Sequence, residues 1–129
     1  MSTPFTHLSL DDVEDVAPRF GFGERWQARA AREPLDMERT GAMLLRLPAG
    51  GRSPFTHRHV EAEEVYVVLE GSGRAKLEGE IVELARRDAV RVAPGTARAF
   101  EAGPDGLELL AFGARHAGDG EAVADPWTD

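Results

Sequence analysis

From Trp26 onward the chain runs in short apolar or alternating stretches that Gly or Pro interrupts every eight to twelve residues. That spacing belongs to an all-β sandwich or barrel. It predicts strands over 25–31, 41–47, 55–59, 64–70, 74–78, 80–84, 88–93, 97–101 and 107–113. The breakers are Pro34, Pro48 to Gly51, Gly71 to Gly73, Gly79, Pro94-Gly95 and Gly103 to Gly106. Segments 74–78 and 80–84, with Gly79 alone between them, predict a tight hairpin. Upstream, Ser9 stands three residues before Asp12 with acids in the first turn, which predicts a short helix that Ala17-Pro18 ends. Two strands, Met43 to Leu47 and Val65 to Leu69, are apolar on both faces, so something must cover the second face. Either residues 1–24 fold over it or a second copy of the chain does. The Gly- and Asp-rich stretch from His116 to Asp129 predicts a loosely docked tail with Trp127 as its one large anchor.

Composition narrows the chemistry. The 129 residues, 42% hydrophobic and 29% charged, have the size and balance of one globular domain. With no cysteine in the sequence, disulfides, thiolate nucleophiles and thiolate-held clusters are excluded. A formal net charge of -8 is the wrong sign for a chain that tracks phosphates, so neither nucleic acid nor an anionic membrane is an expected partner. No apolar run approaches the roughly 18 residues a membrane span needs, and the expected compartment is the cytoplasm.

The residues that carry chemistry lie between Gly51 and Gly71. His57 and His59 stand two apart on a predicted strand, so both imidazoles share a face, about 7 Å apart along it. Glu64 has the wrong parity for the same strand. The chain must therefore turn within Val60 to Glu63 and bring Glu64 back on the neighbouring strand, so that two neutral nitrogens and a carboxylate face one point, an arrangement suited to a divalent metal. His7 and His116 fall outside this stretch and read as surface residues.

The stretch resembles the first motif of the cupin superfamily, G(X)5HXH(X)3,4E(X)6G, at all five fixed positions: Gly51, His57, His59, Glu64 and Gly71. The resemblance covers roughly residues 40–113. It implies a single double-stranded β-helix, or jelly-roll, barrel over 25–113, with an N-terminal arm carrying the short helix over 1–24 and a tail over 114–129. It also implies that His57, His59 and Glu64 hold Fe, Mn, Ni or Zn inside the barrel, beside a small-molecule pocket lined by Phe55, Tyr66, Phe100 and Phe112. The expected assembly is a homodimer, and the expected reaction is of the oxygenase or isomerase type.

The second cupin motif, G(X)5PXG(X)2H(X)3N, fits only at Gly95; Arg98 stands at its histidine. Arginine offers donors only and cannot ligate a metal. At an effective dielectric of about 20 and a separation of about 6 Å, one net charge on the site would repel Arg98 by about 3 kcal/mol, so the resemblance implies weak metal binding or none. Three positions for Arg98 are open at this point: inward beside the site, at the barrel mouth gripping an anionic metabolite in a non-catalytic sensing protein, or ion-paired with Glu64.

Overall fold

The structure, a computed structural model, describes residues 4–114, 118–123 and 127. These residues form the strands β1 (Gln27–Ala30), β2 (Thr40–Leu47), β3 (Thr56–His59), β4 (Glu64–Leu77), β5 (Glu80–Leu84), β6 (Ala89–Val92), β7 (Arg98–Ala114) and β8 (Gly120–Val123). All pairings are antiparallel. The order β1-β2-β7-β3-β8 forms one wall, and β4 pairs with β5, β6 and β7 to close the sheet on itself. The expected all-β barrel is what the chain forms.

Two expected pairs of strands are single long strands. Segments 64–70 and 74–78 join into β4, and 97–101 and 107–113 join into β7, because the glycines between them bulge the ladder instead of ending it. The register shifts between Val68 and Gly73, where Gly71 (φ 79°) meets Gly106 (φ 82°) across the ladder. A Cβ on Gly71 would lie 2.0 Å from the Gly106 carbonyl oxygen. Close approach of two backbones therefore explains why the motif's last position is glycine. Gly71→Ala is expected to cost about 2 kcal/mol from overpacking and a strained φ, read as a lower urea midpoint at unchanged m. The hairpin at Gly79 is present as expected: Glu78 and Gly79 both have positive φ and Leu77 pairs with Glu80.

Alternation along β2, β4 and β7 sends Leu45, Leu47, Tyr66, Val68, Leu107 and Leu109 into the barrel core. The outward series is less covered, and Phe112 on β7 is 41% exposed.

At the N-terminus the expected helix is instead two short 3-10 turns, Leu10–Asp12 and Ala17–Phe20. Ser9 does cap the first, its hydroxyl accepting from the Asp11 amide at 3.2 Å. Ala17-Pro18 opens the second turn rather than ending a helix, since a proline in a first turn forfeits no intrahelical bond. The Asp15 carboxylate accepts from the amides of Ala17 (3.0 Å) and Ala28 (2.9 Å), which sews the arm to β1. Ala17 is buried in the core, with Val16 and Phe22 packed against it. The arm thus closes the open end of the barrel.

The C-terminal segment is not the loosely docked tail its composition suggests. Gly120–Val123 is a strand paired with the whole of β3, and Arg58 on β3 bonds Glu121 at 2.8 Å. Trp127 is buried, with the guanidinium carbons of Arg52 and Arg74 at 5.1 and 5.2 Å from its ring centroid. Its anchoring role agrees with the sequence. His7 is exposed, as expected, and His116 lies outside the described residues.

Candidate metal centre

Strand β3, Thr-His-Arg-His, sends both histidines to one face, with ring centroids 5.2 Å apart and nearly perpendicular. The chain then reverses over Val60 to Glu63. Asp119, arriving from the C-terminal segment, holds that turn: its carboxylate accepts from the amides of Glu61 (2.8 Å) and Ala62 (2.9 Å), and its carbonyl accepts from Val60 (3.2 Å). The turn delivers Glu64 to the start of β4. Glu64 does not come from a strand laddered to β3, which pairs with β7 and β8; it reaches the histidines across the barrel.

One ligand atom from each of His57, His59 and Glu64 lies within 4.8 Å of the others. His57 Nε2 is 4.0 Å from Glu64 Oε1, and His59 Nε2 is 3.7 Å from Glu64 Oε2. Burial, then the charge of Arg98, lowers the His57 pKa to about 3, so at neutral pH this imidazole is uncharged and needs no proton removed before it ligates. Behind His59, Nδ1 faces Asp119 Oδ2 at 3.7 Å, the carboxylate-behind-imidazole arrangement that orients a metal-binding histidine. Tyr66 donates its hydroxyl proton to Glu64 Oε1 and stands 3.5 Å from His57 Nε2. Burial, then Glu64, pushes the phenol well above its ordinary pKa and keeps it a donor. Two imidazoles and a carboxylate suit a divalent transition metal, and His59 and Glu64 are already oriented by neighbours.

Asp119 is the site residue the sequence reading missed. It is 55 positions past Glu64 in a polar stretch, and only its pairing with the Val60 to Glu63 turn reveals it. Asp119→Ala is expected to weaken divalent metal binding by roughly ten- to a hundredfold without removing a ligand, as read by competition against a chromophoric chelator.

Arg98 takes the inward position. It is 0% exposed and directly opposite His57 in the β3–β7 register, with its guanidinium carbon 6.0 Å from the Tyr66 ring centroid. Its Nε, Nη1 and Nη2 find no acceptor among the described residues. Arg98 is not at the barrel mouth, being fully buried, and it makes no ion pair with Glu64, whose Oε1 accepts from Tyr66.

A cavity of about 400 Å³ opens onto the three ligands. Of the expected pocket residues, Phe55 and Tyr66 line it and Arg98, Phe100 and Phe112 do not. Phe100 is buried against Tyr66, centroids 4.7 Å apart, and serves as core. Phe112 has the opposite parity to its neighbour Ala111, which does line the cavity, so it points outward.

A family model described as the cupin domain matches residues 43–112, more than half of the chain. The protein is a cupin. Among solved structures, this cupin is similar to a cupin protein from Bacteroides fragilis at 24% identity, covering 95% of this chain and 93% of that one, with a TM-score of 0.71. The polyketide cyclase RemF from Streptomyces resistomycificus aligns at 21% identity over 93% of this chain and 86% of its own, with a TM-score of 0.76. A sugar phosphate isomerase from Silicibacter pomeroyi aligns at 18% identity over 95% and 94%, with a TM-score of 0.73. No curated protein matches the sequence. At these identities the likeness establishes the jelly-roll barrel and leaves function to the site.

Proposed function

We propose that this cupin holds a divalent transition metal on His57, His59 and Glu64 and uses it on a small organic molecule bound in the adjoining cavity. The observation that carries the reading is the convergence of those three ligand atoms within 4.8 Å on the cavity wall, with His59 and Glu64 each backed by a further side chain. When bound, such an ion supplies Lewis acidity at a ligand oxygen or, as iron, redox chemistry with dioxygen. The chain's own residues do the rest. Tyr66 keeps its proton and fixes the Glu64 carboxylate, Asp119 stands behind the His59 ring, and the apolar cavity walls exclude water from the reacting end. Structural neighbours titled as an isomerase, a cyclase, a decarboxylase and a dioxygenase share the barrel, which supports an oxygenase or isomerase type of reaction. A metal-free sensing role that grips an anionic metabolite through Arg98 has less support, because that side chain is fully buried and does not line the cavity. No helix among the described residues is long and apolar enough to cross a membrane, in keeping with a cytoplasmic role. The expected homodimer would use the outward strand face on which Phe112 stands exposed.

Elemental mass spectrometry tests the reading on tag-free protein, as isolated and after anaerobic loading with Fe(II), Mn(II), Ni(II) or Zn(II). Near-stoichiometric metal that is lost in both His57→Ala and His59→Ala is the expected result. Absence of every metal from the native protein under all four loadings would refute it.

A further inference from the structure

Beside the three ligands, the cavity of about 400 Å³ is walled by aromatic and aliphatic side chains. Its rings form a continuous series that ends at the metal ligands. Trp26 meets Phe55 edge to face at 5.5 Å, Phe22 meets Phe55 at 5.7 Å, Phe55 meets His57 at 5.7 Å, and His57 meets His59 at 5.2 Å. A planar ring system gains most from such walls, because flat faces and edges pack against it with little lost freedom.

Charge points the same way. Among the described residues no lysine or arginine lines this cavity, and its one carboxylate is Glu64. Arg98 is fully buried outside the cavity lining, and Arg32 lines an adjoining cleft of about 250 Å³, where its partner is Glu33 at 3.7 Å. In the metal-free protein, a phosphate or carboxylate placed deep among the rings would lose its hydration without gaining a counter-charge, and would face Glu64. Sugar hydroxyls fare little better, since the Tyr66 hydroxyl already donates to Glu64.

The opening is guarded by the N-terminal arm. Phe20, at the end of its second 3-10 turn, lines the cavity yet remains 69% exposed. Gly21, with φ 79°, caps the turn directly after it, its amide donating to the Ala17 and Pro18 carbonyls, so Phe20 is held at the opening. A ligand in the cavity would give this phenylalanine an apolar surface to cover.

We propose that the cavity takes an uncharged, predominantly aromatic small molecule, seated among Phe22, Trp26 and Phe55 with an oxygen substituent directed at His57, His59 and Glu64, and covered by Phe20. The proposal deepens the metal-site reading and rests on it only for the direction of the oxygen.

The test uses the full chain and three probes: 2-naphthol, its carboxylate analogue 2-naphthoate, and glucose 6-phosphate. Isothermal titration is run first in EDTA, so that coordination contributes nothing, and then on Mn(II)-loaded protein with metal content measured on the same samples. The expected result is that 2-naphthol binds in EDTA at least tenfold more tightly than either anion. Phe20→Ala, which removes an exposed side chain and leaves the melting temperature unchanged, is expected to weaken 2-naphthol about tenfold. Tighter binding of 2-naphthoate or glucose 6-phosphate in EDTA would overturn the proposal, as would wild-type affinity for 2-naphthol in Phe20→Ala. Metal uptake without 2-naphthol binding would sink the ligand class and leave the metal site standing. Binding of 2-naphthol by protein that takes up no metal would do the reverse.

Discussion

Arg98→Met is expected to stabilise the protein by about 2 kcal/mol and to tighten divalent metal binding by up to roughly a hundredfold. The stability gain follows from an ionised side chain that is 0% exposed and has no acceptor for any of its three nitrogens among the described residues. Exchanging such a charge for an apolar side chain of similar length removes a desolvation cost of that order. Methionine is unbranched and adaptable, so it can occupy the same buried space near Tyr66 with little repacking. The gain in metal binding is electrostatic. A divalent ion with Glu64 ionised leaves one net positive charge, and a second positive charge about 6 Å away at an effective dielectric of about 20 opposes it by about 3 kcal/mol. Urea unfolding in EDTA reads the first effect and chelator competition reads the second. Lower stability in Arg98→Met would mean that the guanidinium holds the barrel together in a way its surroundings do not show, and unchanged metal affinity would mean that its charge does not reach the site.

The second large effect is a loss of stability on mild acidification that belongs to His57. Its imidazole has an ordinary pKa of 6.5 in the unfolded chain and about 3 in the folded one. The folded value is depressed, so folding carries no penalty from this group above pH 6.5. Below it the unfolded chain takes up a proton that the folded protein refuses, and stability falls with the pH at about 1.4 kcal/mol per pH unit until the folded value is reached. Between pH 7.0 and 4.5 the expected loss is about 3 kcal/mol. Glu101, held below its usual range first by Arg52 and further by Arg74, contributes in the same direction, but only below its unfolded value of 4.5. The two windows are therefore separable. Urea unfolding at the two pH values in EDTA, on native protein and on His57→Asn, measures the His57 share. A slope that persists unchanged in His57→Asn would assign the loss to other groups.

The convergence of His57, His59 and Glu64 was legible in the sequence because strand parity is arithmetic. Two histidines at i and i+2 share a face, and an acid at the wrong parity forces a turn. The same arithmetic was weaker for Phe112. Glu108 shares the face of Leu110 and Phe112 and was the one signal that this set points outward, which the register of Phe112 with Ala42 and Val65 bears out. The glycines at 71, 73, 103 and 106 read as strand ends, whereas in a barrel they also serve where strands press together and bend, as Gly71 and Gly106 do. Asp119 and β8 were hidden for a different reason. A four-residue strand of Gly, Glu, Ala and Val has little pattern of its own, and it exists because β3 offers it an unpaired edge.

That edge ties the stability of the site to the far end of the chain. β3 meets β7 only where His57 faces Arg98, and every one of its residues pairs with β8. Amide exchange along Thr56–His59 and along Gly120–Val123 should therefore proceed through one shared opening, shallower than global unfolding. Any ion that grips the two histidines must close that opening as well. Occupancy at His57 and His59 and amide protection over Gly120–Val123 become two readings of a single equilibrium. During synthesis, the histidine strand would acquire this partner only after residue 123 has emerged.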